Sequence, residues 1–370
     1  MMNSTQAHPP PGTAIAVAMS GGVDSSMAAA LLLERGYQVT GMTMRLWKEA
    51  GAGTEALDEV KRVCDWLGIP SQVLDYQEEF QAAVVKDFIA TYSRGLTPNP
   101  CVICNRHLKF GCLLNEVNRQ GIAFMATGHY ARVASRDGLY RLLKGRDARK
   151  DQAYFLYRLT QNELAHLLFP LGEYTKEQVR QMAAHRHLPV AERAESQEIC
   201  FILDNDYRRF LREHASETVV PGPILDSQGQ VLGCHKGLPF YTIGQRSGLG
   251  LAAPQPLFVL EIDPARNALI VGPGSGLGRL RLTACQVTYV SGQAPAHAIA
   301  ATARIRYKAQ EVEAKLAPLD HDQAEVSYAE PLRDITPGQS VVFYQDEEVL
   351  GGGVITRQPT GSDSQLCELP

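Results

Sequence analysis

Two groups of residues in this chain have the types and the spacing that chemistry requires. The first is the loop SGGVDSS at residues 20–26, which follows the apolar run 14–19 and precedes the helix-forming run 26–35. Glycine permits a positive φ and a close approach to the backbone, and the N–H groups of a helix N-terminus attract anions. The loop therefore predicts a phosphate site, although an ordinary strand-to-helix turn can also contain two glycines.

The second group consists of cysteines. Cys101 and Cys104 lie in the proline-rich stretch TPNPCVICN at 97–105, and Cys200 lies in SQEICF. We predict a helix over 106–119, which puts Cys104 just before a helix N-terminus, where the helix dipole stabilises a thiolate. Cys104 is therefore a candidate nucleophile. The remaining cysteines are predicted to be small packing residues: Cys64, Cys112, Cys234, Cys285 and Cys367.

The spacing of the cysteines leaves other chemistry open. A c-type haem site is excluded because Asn105, rather than a histidine, follows the second cysteine. A structural zinc site would need His107 and Cys112 as its third and fourth ligands. A thioredoxin-like redox pair is also open, although the flanking residues in NP-C-x-x-C-N are unlike that motif.

The composition limits the class of protein. A chain of 370 residues, 45% of them hydrophobic, can bury a large core and is long enough for two or three domains. Its net charge of −4 gives no overall attraction for nucleic acid, so RNA would have to bind to local basic clusters. The chain shows no signal peptide and no apolar run of membrane-spanning length, which predicts a cytoplasmic protein that does not enter a membrane.

Two local clusters of basic residues are suited to RNA phosphates, and each is also compatible with an ordinary solvated surface. The second cluster is predicted to place its basic side chains on one face of a strand and a tyrosine on the other. The first cluster is Lys144, Arg146, Arg149 and Lys150, and the second is Arg304, Arg306 and Lys308, with Tyr307 as the tyrosine.

The hydrophobic periodicity predicts an α/β fold followed by β structure. Strands are predicted at 14–19, 37–44, 72–74 and 122–127, and helices at 54–67, 77–93 and 106–119. A further helix over 175–187 has Thr175 as its N-cap. The predicted domains are a doubly wound parallel sheet over 13–206, a small β-rich central domain over 207–279 and a C-terminal antiparallel β-barrel over 280–360, between a disordered tail at 1–12 and a tail at 361–370.

The parallel sheet predicts where a ligand would bind. In open α/β sheets, ligands lie beyond the carboxyl ends of the strands. This rule brings the glycine loop, Met44 and the stretch 128–130 to one edge of the sheet, although they are far apart in sequence.

The motifs resemble those of a known family. No Walker motif G-x-x-x-x-G-K-[ST] occurs, and the glycine loop resembles instead the PP-loop of ATP pyrophosphatases. From about residue 14 to 357, the chain is similar to the bacterial tRNA-specific 2-thiouridylases, the MnmA family. The motifs that carry this resemblance are SGGVDSS, GMTMRLW, TPNPCVICNRHLKF, ATGHYAR, KDQAYFLY, SQEICFI, HKGLPFYTIGQRSGLGL and ARIRYKA.

The resemblance implies an enzyme that uses ATP to adenylate the 2-carbonyl oxygen of the wobble uridine in a tRNA anticodon. A persulfide sulfur then displaces AMP. By resemblance, Cys104 is the nucleophile and Cys200 carries the persulfide, which a cysteine desulfurase or a sulfur-relay protein supplies. Asp24 acts in catalysis and helps to hold Mg²⁺, a hard cation that prefers oxygen ligands.

The resemblance also assigns two sets of binding residues. The implied ATP site contains Ala18, Met19, Ser20, Gly21, Gly22, Val23, Asp24, Ser25, Met44 and Gly128. The implied tRNA contacts are Asn99, Pro100, Cys101, His129, Lys150, Asp151, Gln152, Arg306, Tyr307 and Gln339.

Three alternatives remain at this point. Some family members have an aspartate where this chain has Cys101, so Cys101, Cys104 and Cys200 could instead ligate a [4Fe–4S] cluster with one open iron that carries sulfide. A PP-loop synthetase acting on a small carboxylate is the second alternative, and it would need neither the cysteines nor the barrel. The third is a nucleotide- or RNA-binding protein without catalytic activity.

Overall fold

The computed structural model describes residues 9–47, 52–193 and 199–357. Its first sheet has five parallel strands in the order β3-β2-β1-β4-β7, and it confirms the predicted doubly wound α/β fold. The strands are β1 (Ala14–Ala18), β2 (Gln38–Arg45), β3 (Ser71–Asp75), β4 (Phe124–Thr127) and β7 (Leu167–Leu168), and the first two helices are α1 (Val23–Glu34) and α2 (Ala52–Leu67).

Two long helices connect β3 to β4, and each contains a π-helical segment. The first runs as α3 (Gln77–Phe80), a π segment (Gln81–Val85) and α4 (Lys86–Ser93), which confirms the predicted helix over 77–93. The second runs as α5 (Pro100–Cys104), a π segment (Asn105–Leu113) and α6 (Leu114–Arg119).

The predicted start of the second helix, at residue 106, is wrong. The helix begins at Pro100, because proline is well suited to the first helical position, where its missing N–H leaves no hydrogen bond unmade. Cys101 and Cys104 therefore lie inside the helix, and Cys104 does not precede its N-terminus.

The middle of the chain confirms the β-rich prediction. A four-stranded sheet has the order β10-β11-β8-β9. Before it, the Thr175 hydroxyl accepts a hydrogen bond from the Gln178 N–H, which confirms Thr175 as an N-cap. The elements are α7 (Gln161–Leu164), α8 (Lys176–His185), α9 (Tyr207–His214), β8 (Gly222–Leu225), β9 (Val231–His235), β10 (Phe258–Asp263) and β11 (Ala268–Gly272).

The C-terminal part forms the predicted closed antiparallel barrel. Six strands follow the order β12-β15-β14-β13-β16-β17, and β12 pairs with β17 to close the barrel around buried Leu316, Val326 and Val341. The strands are β12 (Arg279–Tyr289), β13 (Ile299–Arg304), β14 (Val312–Leu319), β15 (Gln323–Leu332), β16 (Ser340–Gln345) and β17 (Glu348–Ile355).

A β-hairpin that was not predicted joins the first domain to the barrel. It consists of β5 (Ala131–Arg136) and β6 (Leu139–Lys144), and Leu143 of β6 pairs with Glu348 of β17. Its turn contains Asp137 and Gly138, both with positive φ. An Asp-Gly pair between alternating strands is a strong hairpin signal, so the sequence contained the evidence for this element.

A cluster of ion pairs holds the hairpin against the barrel. The carboxylate of Glu311 accepts hydrogen bonds from Lys144 Nζ at 2.7 Å, from Arg304 Nη2 at 2.7 Å and from Thr302 Oγ1 at 3.0 Å. Arg304 Nη1 also lies 3.5 Å from the buried carboxylate of Asp151. We call Glu311, Lys144, Arg304 and Asp151 the Glu311 cluster.

The Glu311 cluster predicts a large effect for Glu311→Gln. The change leaves two largely buried cations with one carboxylate fewer, so we expect a loss of about 3 kcal/mol in the free energy of unfolding. Burial raises the pKa of Glu311, but hydrogen bonding to Lys144 and the nearby cations outweigh burial and hold this pKa below its ordinary value. The stabilisation is therefore present above the ordinary carboxyl pKa and is lost as the pH falls through the lowered one.

Urea unfolding of the wild type and Glu311→Gln at neutral and acidic pH measures this difference. Glu313→Gln, an exposed residue on the same barrel, is the matched control and should change stability by less than about 0.5 kcal/mol. Equal effects of the two variants at neutral pH would contradict the assigned role of Glu311.

Candidate active site

The glycine loop forms the N-terminus of α1. Gly21 has a φ of +72°, whereas Gly22 is the N-cap with an extended backbone, so Gly21 alone uses the left-handed region. The helix begins at Val23, earlier than predicted, which puts the N–H groups of Val23, Asp24 and Ser25 in its first turn. Such N–H groups have no partner within the helix and are available to bind an anion.

The serine side chains hold this loop in place. Ser25 Oγ accepts a hydrogen bond from the Ser20 N–H at 3.1 Å, and Ser26 Oγ donates to the Gly22 carbonyl at 2.9 Å. These bonds fix the loop around the helix N-terminus before any ligand binds.

Asp24 is paired with a lysine that the sequence analysis missed. Lys176 Nζ, from the first residue of α8, lies 2.7 Å from both carboxylate oxygens of Asp24, and the Tyr130 hydroxyl donates to Asp24 at 2.8 Å. The loop is not followed by a lysine in sequence, but Lys176 supplies a cation from 152 residues away. The sequence carried no signal for this pairing.

The edge of the sheet brings together the predicted residues. The carboxyl ends of β1, β2 and β4 meet here, with Met44 half-buried near the end of β2. Gly128 lies directly against α1, because an added Cβ would be 2.7 Å from the Ser25 nitrogen and 2.8 Å from the Asp24 carbonyl carbon. Glycine is therefore required at 128 for the close approach of the two elements.

His129 is held as a neutral imidazole at the same edge. Its Nδ1 lies 2.7 Å from Thr127 Oγ1, and its ring packs against Phe110 and Phe169, with ring centroids 6.0 Å and 6.2 Å away. Burial lowers the pKa of His129 well below its ordinary value, and the nearby charge of Lys109 lowers it further.

The three candidate cysteines lie close enough for their charges to interact. Cys104 is buried, whereas Cys101 and Cys200 reach the surface. Desolvation by the surrounding protein raises the pKa of Cys101 and of Cys104, and Lys109 partly opposes the shift in both. Desolvation by the surrounding protein raises the pKa of Cys200 to about 12, and the Cys104 and Cys101 thiols add to the shift.

The predicted activation of Cys104 by a helix N-terminus is therefore wrong. Cys104 is the fifth residue of the helix rather than the residue before it, and it is buried, so desolvation of the thiolate dominates its pKa. The thiol is protonated at neutral pH in this state of the protein.

Cys200 lies in a short segment that the buried side chain of the next residue fixes to the core. Phe201, the next residue, is fully buried among aromatic rings, with ring centroids 5.6 Å from Phe80 and 5.3 Å from both Phe88 and Phe210. The preceding residues of the SQEICFI motif, at 196–198, lie outside the described residues. An exposed thiol beside a fixed aromatic side chain is accessible to another molecule while its backbone is held.

The arrangement of these thiols does not favour a metal site. All seven cysteines in the described part of the chain are free thiols. Within 9–47, 52–193 and 199–357, no three side chains of His, Cys, Asp or Glu are grouped so that they could hold a metal ion. The residues proposed for zinc, His107 and Cys112, and the three-cysteine set for an iron–sulfur cluster therefore do not fit as ligands in this arrangement.

The stretch 97–100 is held against the barrel. Asn99 is the N-cap of α5 and Pro100 its first residue. Gln339 Nε2 donates to the carbonyls of Thr97 at 3.2 Å and Pro98 at 2.8 Å, so this candidate tRNA contact also positions the cysteine helix.

Residues 150–152, the KDQ stretch, are hydrogen-bonded to the edge of the sheet. Gln152 Oε1 accepts from the Tyr130 N–H at 3.0 Å, and Lys150 is half-buried. Asp151 is buried, and its Oδ1 accepts from the N–H groups of Gly145 at 2.9 Å and Ala153 at 3.1 Å. Asp151 therefore shapes the loop from inside rather than presenting its side chain to solvent.

The second basic cluster is not arranged as predicted. Strand β13 ends at Arg304, so residues 306 and 308 lie beyond it and do not alternate along a strand face. Arg304 is committed to the Glu311 cluster, and Arg306 pairs with Asp334 at 3.4 Å. The ring of Tyr307 packs on Phe155 with centroids 4.5 Å apart.

The first basic cluster is also divided. Lys144 belongs to the Glu311 cluster, so it is not available as a phosphate contact. Arg146 is exposed and lies 3.5 Å from Glu173, and Arg149 is exposed. Arg146, Arg149 and the half-buried Lys150 remain as candidate phosphate contacts.

The glycine loop, the helix N-terminus and the paired carboxylate at the carboxyl edge of a parallel sheet define an α/β nucleotide-binding domain of the PP-loop type. Comparison with known proteins agrees with this class. Residues 13–204 match the family model described as a tRNA methyl transferase HUP domain, 208–273 match the tRNA methyl transferase PRC-barrel domain, and 279–355 match the aminomethyltransferase beta-barrel domain.

The curated relatives are named more specifically. A tRNA-specific 2-thiouridylase MnmA from Moorella thermoacetica is 52% identical over 351 residues, which cover 92% of this chain and 98% of the relative. Proteins of the same name from Chloroflexus aurantiacus and Roseiflexus castenholzii are 49% and 47% identical, and each alignment covers 93% of this chain and at least 98% of the relative. The chain therefore belongs to the family of tRNA-specific 2-thiouridylases.

Among the described residues, no helix combines the length and the apolar character needed to cross a membrane.

The close packing of Gly128 generates a prediction for the nucleotide site. Gly128→Ala should displace the first turn of α1 and weaken ATP binding by about tenfold or more, with a loss of about 1–3 kcal/mol in stability, because the added methyl overlaps the backbone at Ser25 and Asp24. Isothermal titration with ATP and thermal unfolding measure the two effects.

Gly121→Ala is the control for this change. Gly121 has a positive φ and open space around it, and it precedes the amino end of β4, at the opposite edge of the sheet. It should lose stability through backbone strain but keep the ATP affinity of the wild type. Unchanged ATP affinity in Gly128→Ala would place the nucleotide elsewhere.

Proposed function

We propose that this protein is a tRNA 2-thiouridylase that adenylates the wobble uridine and replaces its 2-oxygen with sulfur. The observation that carries the proposal is the combination of a PP-loop at the edge of the sheet with three thiols that interact electrostatically. A carboxylate-activating synthetase of this superfamily has no use for such a group of thiols. Family membership supports the same activity, and a cytoplasmic location follows from tRNA as the substrate.

The first step uses the glycine loop. The N–H groups of the first turn of α1 bind phosphate oxygens of ATP, and the uridine 2-oxygen attacks the α-phosphorus and releases pyrophosphate. Asp24 and the phosphates would hold Mg²⁺, which neutralises charge as pyrophosphate leaves. A single carboxylate plus phosphates is a usual environment for this ion, and Lys176 remains beside Asp24 as a second cation for the phosphates.

The second step uses two cysteines. A donor transfers a sulfur atom to Cys200, and the terminal sulfur of this persulfide attacks C2 of the adenylated uridine, so that the C–O bond to AMP breaks. The Cys104 thiolate then attacks Sγ of Cys200. The S–S bond breaks with its electron pair on the uridine sulfur, which leaves 2-thiouridine and a Cys104–Cys200 disulfide. An external thiol reduces this disulfide before the next turnover.

The tRNA surface includes residues from both sides of the cysteine helix. Asn99, Pro100 and Cys101 face the target base, whereas His129 stands at the edge of the sheet. Lys150, Gln152, Arg306, Tyr307 and Gln339 contact the anticodon arm, and Asp151 positions the loop between them. Bases in an anticodon loop are not held in a duplex and can be turned outward into such a site.

The sulfur donor and the domain limits are part of the proposal. The donor is a cysteine desulfurase or a sulfur-relay protein that presents a persulfide to the exposed Cys200. The catalytic domain spans 13–206, the central domain 207–279 and the barrel 280–360.

The test of this function is an assay with ATP, a tRNA transcript and a protein persulfide donor. The wild type should release AMP and pyrophosphate and form 2-thiouridine, which mass spectrometry of nucleosides separates from a methylated uridine. Cys104→Ser and Cys200→Ser should lose thiolation but still release pyrophosphate, because adenylation precedes sulfur transfer. Cys101→Ser should keep substantial thiolation, and Asp24→Asn should lose pyrophosphate release.

Different results identify the alternatives. ADP and phosphate as direct products would contradict the PP-loop assignment. Pyrophosphate release that does not depend on RNA would indicate a synthetase for a small carboxylate. A loss in Cys101→Ser as complete as in Cys104→Ser would contradict the two-cysteine relay.

The proposed tRNA surface predicts a change in salt dependence. Arg306→Gln should weaken tRNA binding and reduce the salt slope of the binding constant by about one, because one phosphate contact fewer releases fewer counterions. Filter binding at several salt concentrations measures the slope. Arg119→Gln removes the same charge at the C-terminal end of α6, on the opposite edge of the sheet, and should leave the slope unchanged. Identical slopes for both variants would remove Arg306 from the RNA surface.

A further inference from the structure

Lys109 is a cation whose charge acts on all three thiols. It is half-buried in the π segment Asn105–Leu113, and within the described residues no carboxylate forms an ion pair with it. Its charge acts on Cys101 and Cys104 from the same helix, on Cys200 from a separate segment and on His129 from the edge of the sheet. Neither the motifs nor the family resemblance assigned a role to this residue.

The π-helical geometry explains how Lys109 reaches Cys104. Cys104 is the last residue of α5, and Lys109 follows five positions later. In an α-helix, residues five apart point about 140° away from each other, because 3.6 residues complete a turn. A π-helix bonds residue i to residue i+5, which brings residues five apart onto one face. The wider helix therefore places the Lys109 side chain on the side of the Cys104 thiol.

Within the described ranges, Lys109 is the one cation whose charge acts on the three thiols. Among the described residues, the groups whose charges act on Cys101, Cys104 and Cys200 are these cysteines themselves and Lys109. His129 is neutral and contributes no charge. In the part of the chain that the structure describes, a sulfur anion in this site therefore has Lys109 alone to offset the desolvation that burial imposes.

We propose that Lys109 is the positioning residue that holds the sulfur anions of the reaction, the Cys200 persulfide and the Cys104 thiolate, in the buried site. This inference rests on the proposed sulfur transfer and identifies the positive charge that allows the transfer to proceed at neutral pH. The ammonium group attracts the persulfide as it attacks C2, and then the thiolate as it attacks Cys200. Its removal leaves each anion desolvated without a counter-charge.

The test measures the pH dependence of alkylation by iodoacetamide, with peptide mass spectrometry to separate Cys104 from Cys101 and Cys200. Lys109→Met should lower the alkylation rate of Cys104 at neutral pH by about tenfold for each unit by which the thiol pKa rises. The pH midpoint should move upward. Lys109→Arg should retain the wild-type midpoint, because it keeps the charge. Lys86→Met, an exposed lysine on α4, is the matched control and should behave as the wild type.

The thiolation activity of the variants provides a second test. Thiolation by Lys109→Met should fall at neutral pH and recover in part at alkaline pH, whereas a purely structural defect would not recover. If Lys109→Met does not fold, Lys109→Gln provides the neutral side chain, and thermal unfolding checks both. An unchanged midpoint for Cys104 in a folded neutral variant would overturn the proposal. A raised KM for ATP with unchanged thiol titration would also overturn it, because Lys109 would then serve the nucleotide.

Alkylation needs neither ATP nor tRNA, so the two proposals can fail separately. A wild type that shows the Lys109-dependent thiol titration but forms no 2-thiouridine would overturn the proposed function alone.

Discussion

The docking of the first domain on the C-terminal barrel depends on the Glu311 cluster. Its carboxylate on the barrel receives Lys144 from the hairpin and Arg304 from β13, and Arg304 reaches Asp151 in the KDQ stretch. Buried charges are costly unless they are paired, so these groups are stable only when the barrel and the first domain are docked together. The barrel and the first domain therefore keep the surfaces described here only while they are docked together.

The consequences of this docking extend to the cysteines through direct contacts. Asp151 holds the backbone of the loop that leads to Phe155, and Tyr307 of the barrel packs on the Phe155 ring. The Phe155 carbonyl accepts a hydrogen bond from Asn105 Nδ2 at 3.1 Å, and Asn105 follows Cys104 in the helix. A continuous set of contacts thus connects the barrel to the reactive helix. In this arrangement, the C-terminal domain belongs to the site rather than being a separate stabilising module.

Most of the fold could be predicted from the sequence, because its signals are local. The apolar run before the glycine loop, the helix over 77–93 and the alternating strands of the barrel each follow from periodicity within a short window. Strand β7 could not be predicted, since its two residues are too few to show a period. The β5–β6 hairpin could have been predicted, because its Asp-Gly turn is a local signal. Its attachment to the barrel could not, because the pairing of β6 with β17 is long-range and no local pattern contains it.

The site could be predicted in outline but not in its electrostatics. The topology of a parallel sheet is sufficient to bring the glycine loop and Gly128 together. The pairing of Asp24 with Lys176 and the burial of Asp151 depend on contacts between distant segments, so sequence spacing could not reveal them. The reactivity predicted for Cys104 was wrong because a helix start at residue 106 was assumed. A proline at residue 100 allowed the helix to begin six residues earlier and to carry the thiol into the interior.

The burial of Cys104 changes how the chemistry has to be controlled. A protonated, buried thiol is a poor nucleophile and resists oxidation, which protects the enzyme between turnovers. The same burial opposes the anions that sulfur transfer requires, and a bound tRNA would oppose them further, since its phosphates are negatively charged. A cation inside the site must therefore compensate for both effects. The π segment is the local structure that turns a lysine toward the thiols, so the irregularity of this helix and the chemistry of its cysteines have the same physical origin.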